Sequence, residues 1–144
     1  MSYCTEQNLI DRFGADEIRQ LSDRDRDGTN DVEVIAAVIA DATAEMDAWF
    51  AGRWTIPATP PQEVERRACD IARYMLFDDR ATEAVRKRYE DALAWLRDVA
   101  AGRVSIPGAT AVARDGVTGT GAVALASPAI VFTTELLAKA QVGE

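Results

Sequence analysis

Residues 61–102, PQEVERRACDIARYMLFDDRATEAVRKRYEDALAWLRDVAAG, decide the fold. In the first half Val64, Ala68, Ile71 and Met75 recur every three or four positions, with Ala72 and Leu76 widening the stripe. In the second half Val85, Tyr89, Ala92, Leu96 and Val99 do the same. Each pattern predicts a helix with one apolar face. The break between them falls at Asp78-Asp79-Arg80, and Thr82 is placed to cap the second helix because its hydroxyl accepts from an orphan N–H. So short a break predicts an antiparallel hairpin of helices. Gly102 ends it, since glycine adopts the left-handed cap conformation without a Cβ clash.

Working toward the N-terminus, residues 52–61 (GRWTIPATPP) form a proline-rich connection unsuited to helix. Trp54 and Ile56 are expected to tuck under the hairpin. Before it, Val32, Ile35, Ile39, Ala42, Met46 and Trp49 advance by three or four, and Ala36, Val38 and Phe50 thicken the stripe. This predicts a helix to about Phe50, opened by Asn30 as N-cap with Glu33 completing a capping box. Glu33, Asp41, Glu45 and Asp47 are expected on its wet side. Two short helices come first: one capped by Thr5 and running through Phe13 to Gly14, the other over residues 16–21. Trp49, Trp54 and Trp95 read either as core filling or as interface residues.

Toward the C-terminus the composition changes after Arg103. Residues 104–144 are rich in Ala, Gly, Thr and Val and carry 3 acidic and 2 basic residues. They hold an Asp115-Gly116 turn signal and the apolar run Ile130, Val131 and Phe132, with Leu136 and Leu137 beyond. Such a segment has too little periodic apolar surface for a core, yet is too apolar for a linker. The expectation is a helical domain over residues 1–103 and an extended arm over residues 104–144 that contains short β segments and orders on a partner. Ile130, Val131, Phe132, Leu136 and Leu137 are its partner-binding candidates.

Composition narrows the function. The 144 residues suffice for one modest core, and the 48% hydrophobic fraction is that of a soluble globular protein. No apolar run approaches the ~20 residues of a membrane span. The N-terminus lacks the regions of a signal peptide, so a cytosolic chain without membrane contact is expected. Cys4 and Cys69 are expected to stay reduced, and they are too far apart in sequence to read as a metal site. With no histidine, His-based catalysis and His-containing metal sites are excluded. No acid pair stands in an apolar setting, so neither an enzyme nor a cofactor is expected.

The charge of −8 is concentrated at the front: residues 1–47 carry 12 acidic and 4 basic residues, and residues 48–103 carry 9 and 10. An acidic first third does not grip phosphates.

Asp23, Asp25, Asp27 and Gly28 match the start of a calcium loop, with Asp31 at the ninth position. The twelfth position, where a bidentate Glu belongs, holds Val34, and Arg24 and Arg26 offset the charge. The expected reading is a turn that bonds its own backbone rather than a metal site.

Together, MSYCTEQNLIDRFG (residues 1–14), LSDRDRDGTND (residues 21–31) and RRACDIARYMLFDDRATEAVRKRYEDALAWLRDVAAGRVSI (residues 66–106) resemble the Mu-like phage head–tail adaptor family. The resemblance covers residues 1–106, and the closing FTTELL is similar to a degraded form of the patch that ends many members, while no resemblance is read for residues 109–128. The resemblance implies a homo-oligomeric ring, a dodecamer, beneath the portal protein of the capsid. It further implies contacts with tail or stopper proteins of the neck, and a channel through which DNA passes without sequence-specific binding. The protein would be found in the virion neck, and in the host cytoplasm during assembly. Two other classes stay open: a calcium-binding helical module, and a small helical DNA-binding regulator using Arg66, Arg67, Arg73, Arg86, Lys87 and Arg88. Glu65, Asp70, Glu83 and Glu90 interleave with that basic set, which favours a surface of salt bridges.

Overall fold

The computed structural model describes residues 1–113. The elements are α1 (Glu6–Phe13), α2 (Ala15–Ser22), α3 (Val32–Phe50), β1 (Trp54–Thr55), α4 (Gln62–Phe77), a 3₁₀ turn (Asp78–Arg80), α5 (Glu83–Ala100) and β2 (Thr110–Ala111). Among the described residues this is an all-α bundle of five helices with one short antiparallel strand pair.

The expected hairpin forms. Tyr74 stacks on Tyr89 with centroids 4.1 Å apart, and the Arg67 guanidinium lies 5.7 Å from the centroid of the Trp95 ring. Contacts that descend one helix while ascending the other make α4 and α5 antiparallel. Thr82 caps α5 by accepting from the Val85 N–H, and Asp78 takes a positive φ of 53° where the chain leaves α4. Gly102 has φ 78°, in the left-handed region that favours glycine, so the backbone calls for it, whereas a Cβ there would meet only the movable tip of Arg53.

Helix α3 packs on both members of the hairpin. Ile35, Val38, Ile39, Ala42, Met46 and Phe50 are buried against Val64, Ala68, Ile71, Ala72, Leu76, Leu96 and Val99. The extended N-terminus seals one side of α3: Tyr3 N–H donates to Thr43 Oγ1 at 3.4 Å, and the Tyr3 hydroxyl donates to Asp47. The Tyr3 ring packs edge-on against Phe50 (5.8 Å), which packs edge-on against Trp95 (6.5 Å). Thr5 and Asn8 form a reciprocal capping box at the start of α1, and Gly14, with φ 94°, ends α1 and begins α2.

Several details differ from the sequence reading. Asp31, not Asn30, is the N-cap of α3, accepting from the N–H groups of Glu33 and Val34. A carboxylate at the positive end of a helix is favoured over an amide, and the Asn30 amide instead donates to Glu6 Oε1 at 2.8 Å. With the start shifted, Val32 is 63% exposed and Ala36 also faces water, so neither belongs to the core stripe. Glu45 and Asp47 are not simply solvated, because they accept from Tyr89 and Tyr3. Cys4 and Cys69, distant in sequence, are both buried, and the effect of Cys4 together with burial pushes the Cys69 thiol up.

The chain also stays on the core past Arg103. Ile106 is buried, Val104 and Ala109 pack beside it, and β2 pairs with β1 in the register Trp54–Ala111 and Thr55–Thr110. The Trp54 indole N–H donates to the Val99 carbonyl, fixing β1 under α5 as expected for that tryptophan. The compact unit therefore spans Met1–Val112, nine residues further than the expected boundary at 103. Among the described residues no helix is long and apolar enough to cross a membrane.

Candidate functional site

The Asp-rich loop joins α2 to α3. The carboxylates of Asp23, Asp25 and Asp27 come within 4.8 Å of one another. They are turned to the loop's own backbone: Asp23 accepts from the N–H groups of Asp27 (3.0 Å) and Gly28 (2.9 Å), and Asp25 from Asp27 (3.3 Å). Asp27 accepts from both the N–H and the hydroxyl of Thr29, which holds its carboxyl below the usual range. Asp31 is engaged as the α3 cap. Three carboxylates thus stand together, and the fourth candidate is committed to a helix end.

A second feature is a cleft of about 360 Å³ between α1, α4 and α5. Arg12 and Phe13 contribute from α1, Arg66, Arg67 and Asp70 from α4, and Arg88 and Asp91 from α5. Asp70 is only 7% exposed. Burial pushes its carboxyl up, and the guanidiniums of Arg88, Arg66, Arg67 and Arg12 oppose that without cancelling it. Around the cleft Arg12 meets Glu65 at 3.4 Å and Arg67 meets Glu63 at 2.8 Å. Among the described residues, neither Arg66 nor Arg88 has a carboxylate oxygen within 4.0 Å.

The basic set named from sequence is therefore divided. Arg67, Arg73 and Lys87 pair with Glu63, Glu17 and Asp91, and Arg73 also lies 4.3 Å from the centroid of the Phe13 ring. Arg66, Arg86 and Arg88 do not pair among the described residues. The sequence reading placed Arg66 and Asp70 on one helix surface but missed Arg12, whose part depends on α1 packing on α4. The spacing of Arg66, Asp70 and Arg73 on a single face was the available signal. Ile130, Val131, Phe132, Leu136 and Leu137, and the Asp115-Gly116 turn, lie outside the described residues.

With this geometry in hand, comparison with known proteins decides the family. The profile described as Bacteriophage Mu, Gp36 matches residues 3–124. The chain belongs to the Bacteriophage Mu Gp36 family. The match takes in the whole helical bundle, the cleft and the strand pair. Within the Gp36 family, the chain is similar to the Mu-like prophage FluMu protein gp36 of Haemophilus influenzae, with 32% identity over 105 residues, 72% of this chain and 74% of that protein. It is also similar to gene product J of Escherichia phage Mu, with 30% identity over 105 residues and the same coverage.

Proposed function

We infer that this protein is a structural head-completion protein of a Mu-like phage or prophage, connecting the head to the tail. The observation that carries this reading is its membership of the Gp36 family across residues 3–124. The architecture supports it: the polar groups of the Asp-rich loop and the helix surfaces are largely spent on caps, turns and ion pairs. On this reading the protein is not an enzyme and needs no cofactor.

The finer assembly follows from the same reading. Copies close into a ring, a dodecamer, which docks beneath the portal in the neck of the virion and continues the DNA channel toward tail or stopper proteins. The negative charge of residues 1–47 suits a wall past which DNA slides without adhering. The segment after Val112, with Ile130, Val131, Phe132, Leu136 and Leu137, reaches a neighbouring subunit and adds main-chain pairing and apolar anchors there.

The test is to mix the purified chain with the purified portal protein of the same phage and follow size-exclusion chromatography with light scattering. The expected result is a complex of the portal with many copies of this chain. A chain that elutes separately from the portal under all conditions would overturn the reading.

A further inference from the structure

The ring reading leaves open which surfaces of adjacent copies meet, and two features of the bundle answer each other. The first is the arginine cleft, where Arg66 and Arg88 have no carboxylate partner among the described residues. The second is the beginning of α3. Val32 is the one large apolar residue that is strongly exposed in the interior of the described chain, the others being Met1 and Val112 near its ends. It stands beside Glu33, both on the first turn of α3, among the exposed acids Asp25 and Asp27.

We propose that the cleft of one copy receives the start of α3 of a second copy, Glu33 pairing with Arg66 and Arg88 and Val32 packing on Phe13 and the arginine stems. This rests on the ring reading above. Three observations select a second copy over nucleic acid. Glu63, Glu65, Asp70 and Asp91 stand in or beside the cleft and would repel a run of phosphates, whereas a single inserted carboxylate meets the two unpaired guanidiniums. An exposed valine amid acids has nothing to gain from a phosphate backbone, but fits a site built from an aromatic ring and arginine stems. The complementary charge is carried by the chain itself, with its excess acid in residues 1–47. The two patches share no residue, so copies can meet head-to-tail, each cleft filled by the next copy, the kind of contact that builds a ring.

Four samples test this by sedimentation velocity at low ionic strength, where such contacts are screened least. They are the full-length chain, a cleft variant Arg66→Glu/Arg88→Glu, a knob variant Val32→Ser/Glu33→Lys, and an equimolar mixture of the two variants. The full-length chain is expected to form species larger than a dimer, and each variant alone should lose self-association by about tenfold or more. The mixture retains one intact contact, between the cleft of the knob variant and the knob of the cleft variant, and should stop at a heterodimer. Circular dichroism checks folding, and the milder Arg66→Gln/Arg88→Gln pair replaces the cleft variant if it unfolds. Assembly of either folded variant like the parent, or a mixture of folded variants that stays monomeric, overturns the proposal while the ring reading stands. A parent chain that is monomeric at every concentration overturns the proposal, and the ring reading is then decided by the mixture with the portal. Loss of duplex-DNA binding in the cleft variant without loss of assembly overturns the proposal and makes the cleft a nucleic-acid surface.

Discussion

At the scale of single residues, Asp70 is a nearly buried acid set among the arginines of the cleft. Its folded carboxyl is raised by burial. A raised acid favours the fold below its unfolded pKa and gives up that contribution as pH rises through the folded value. Asp70→Asn, close in shape to the protonated acid, should therefore melt at or above the parent at neutral pH. The difference should shrink to nothing as pH falls through the carboxylate range, as followed by thermal denaturation against pH. A variant that is destabilised at neutral pH would show instead that the surrounding arginines need the charge more than burial opposes it. Tyr89, held by burial and by its bond to Glu45, is pushed up to about 12, so its phenol keeps its proton through the pH range of that experiment.

At the scale of elements, the hairpin carries the stability. Leu96 is fully buried between α3 and α4, and Leu96→Ala should cost about 2–5 kcal/mol in a denaturant titration. Thr82→Ala, which removes only the α5 cap, should cost about 1 kcal/mol. These helices were legible in the sequence because each buries a stripe against a large partner, and the stripe imposes its own spacing. The start of α3 was less legible, since Asn30 and Asp31 both satisfy the same capping rule. The preference of the helix end for a carboxylate and the bond from the Asn30 amide to Glu6 separate them. A short β segment after Arg103 was legible, but its pairing with Trp54–Thr55 was not, because two-residue strands have no period to fix their register. The Asp-rich loop bonds its own N–H groups, so adding millimolar calcium or a chelator should leave the melting temperature unchanged. A rise that is lost in Asp23→Ala would reverse that reading.

At the scale of the whole molecule, deleting residues 127–144 should leave the unit Met1–Val112 with its helical signal and melting temperature intact, while abolishing incorporation into particles. Normal particles built from the shortened chain would rule out that segment as an assembly element. The candidate surfaces were legible only in part. The acids of the loop announce themselves by spacing, but the cleft is made by α1, α4 and α5 together and exists only once they pack. One further property follows from how the chain leaves this unit. The Val112 N–H donates to the Arg53 carbonyl at 2.8 Å, next to a ladder of two residue pairs, with Ile106 seated a few residues back. Tension applied from the C-terminal side loads these bonds one after another, as in a zipper, before it reaches any helix. Peeling residues 104–111 away would lengthen the tether by about 25–30 Å at 3.3–3.6 Å per residue while α1 to α5 keep their packing. The strand pair is thus a store of slack that gives way under load before the bundle does.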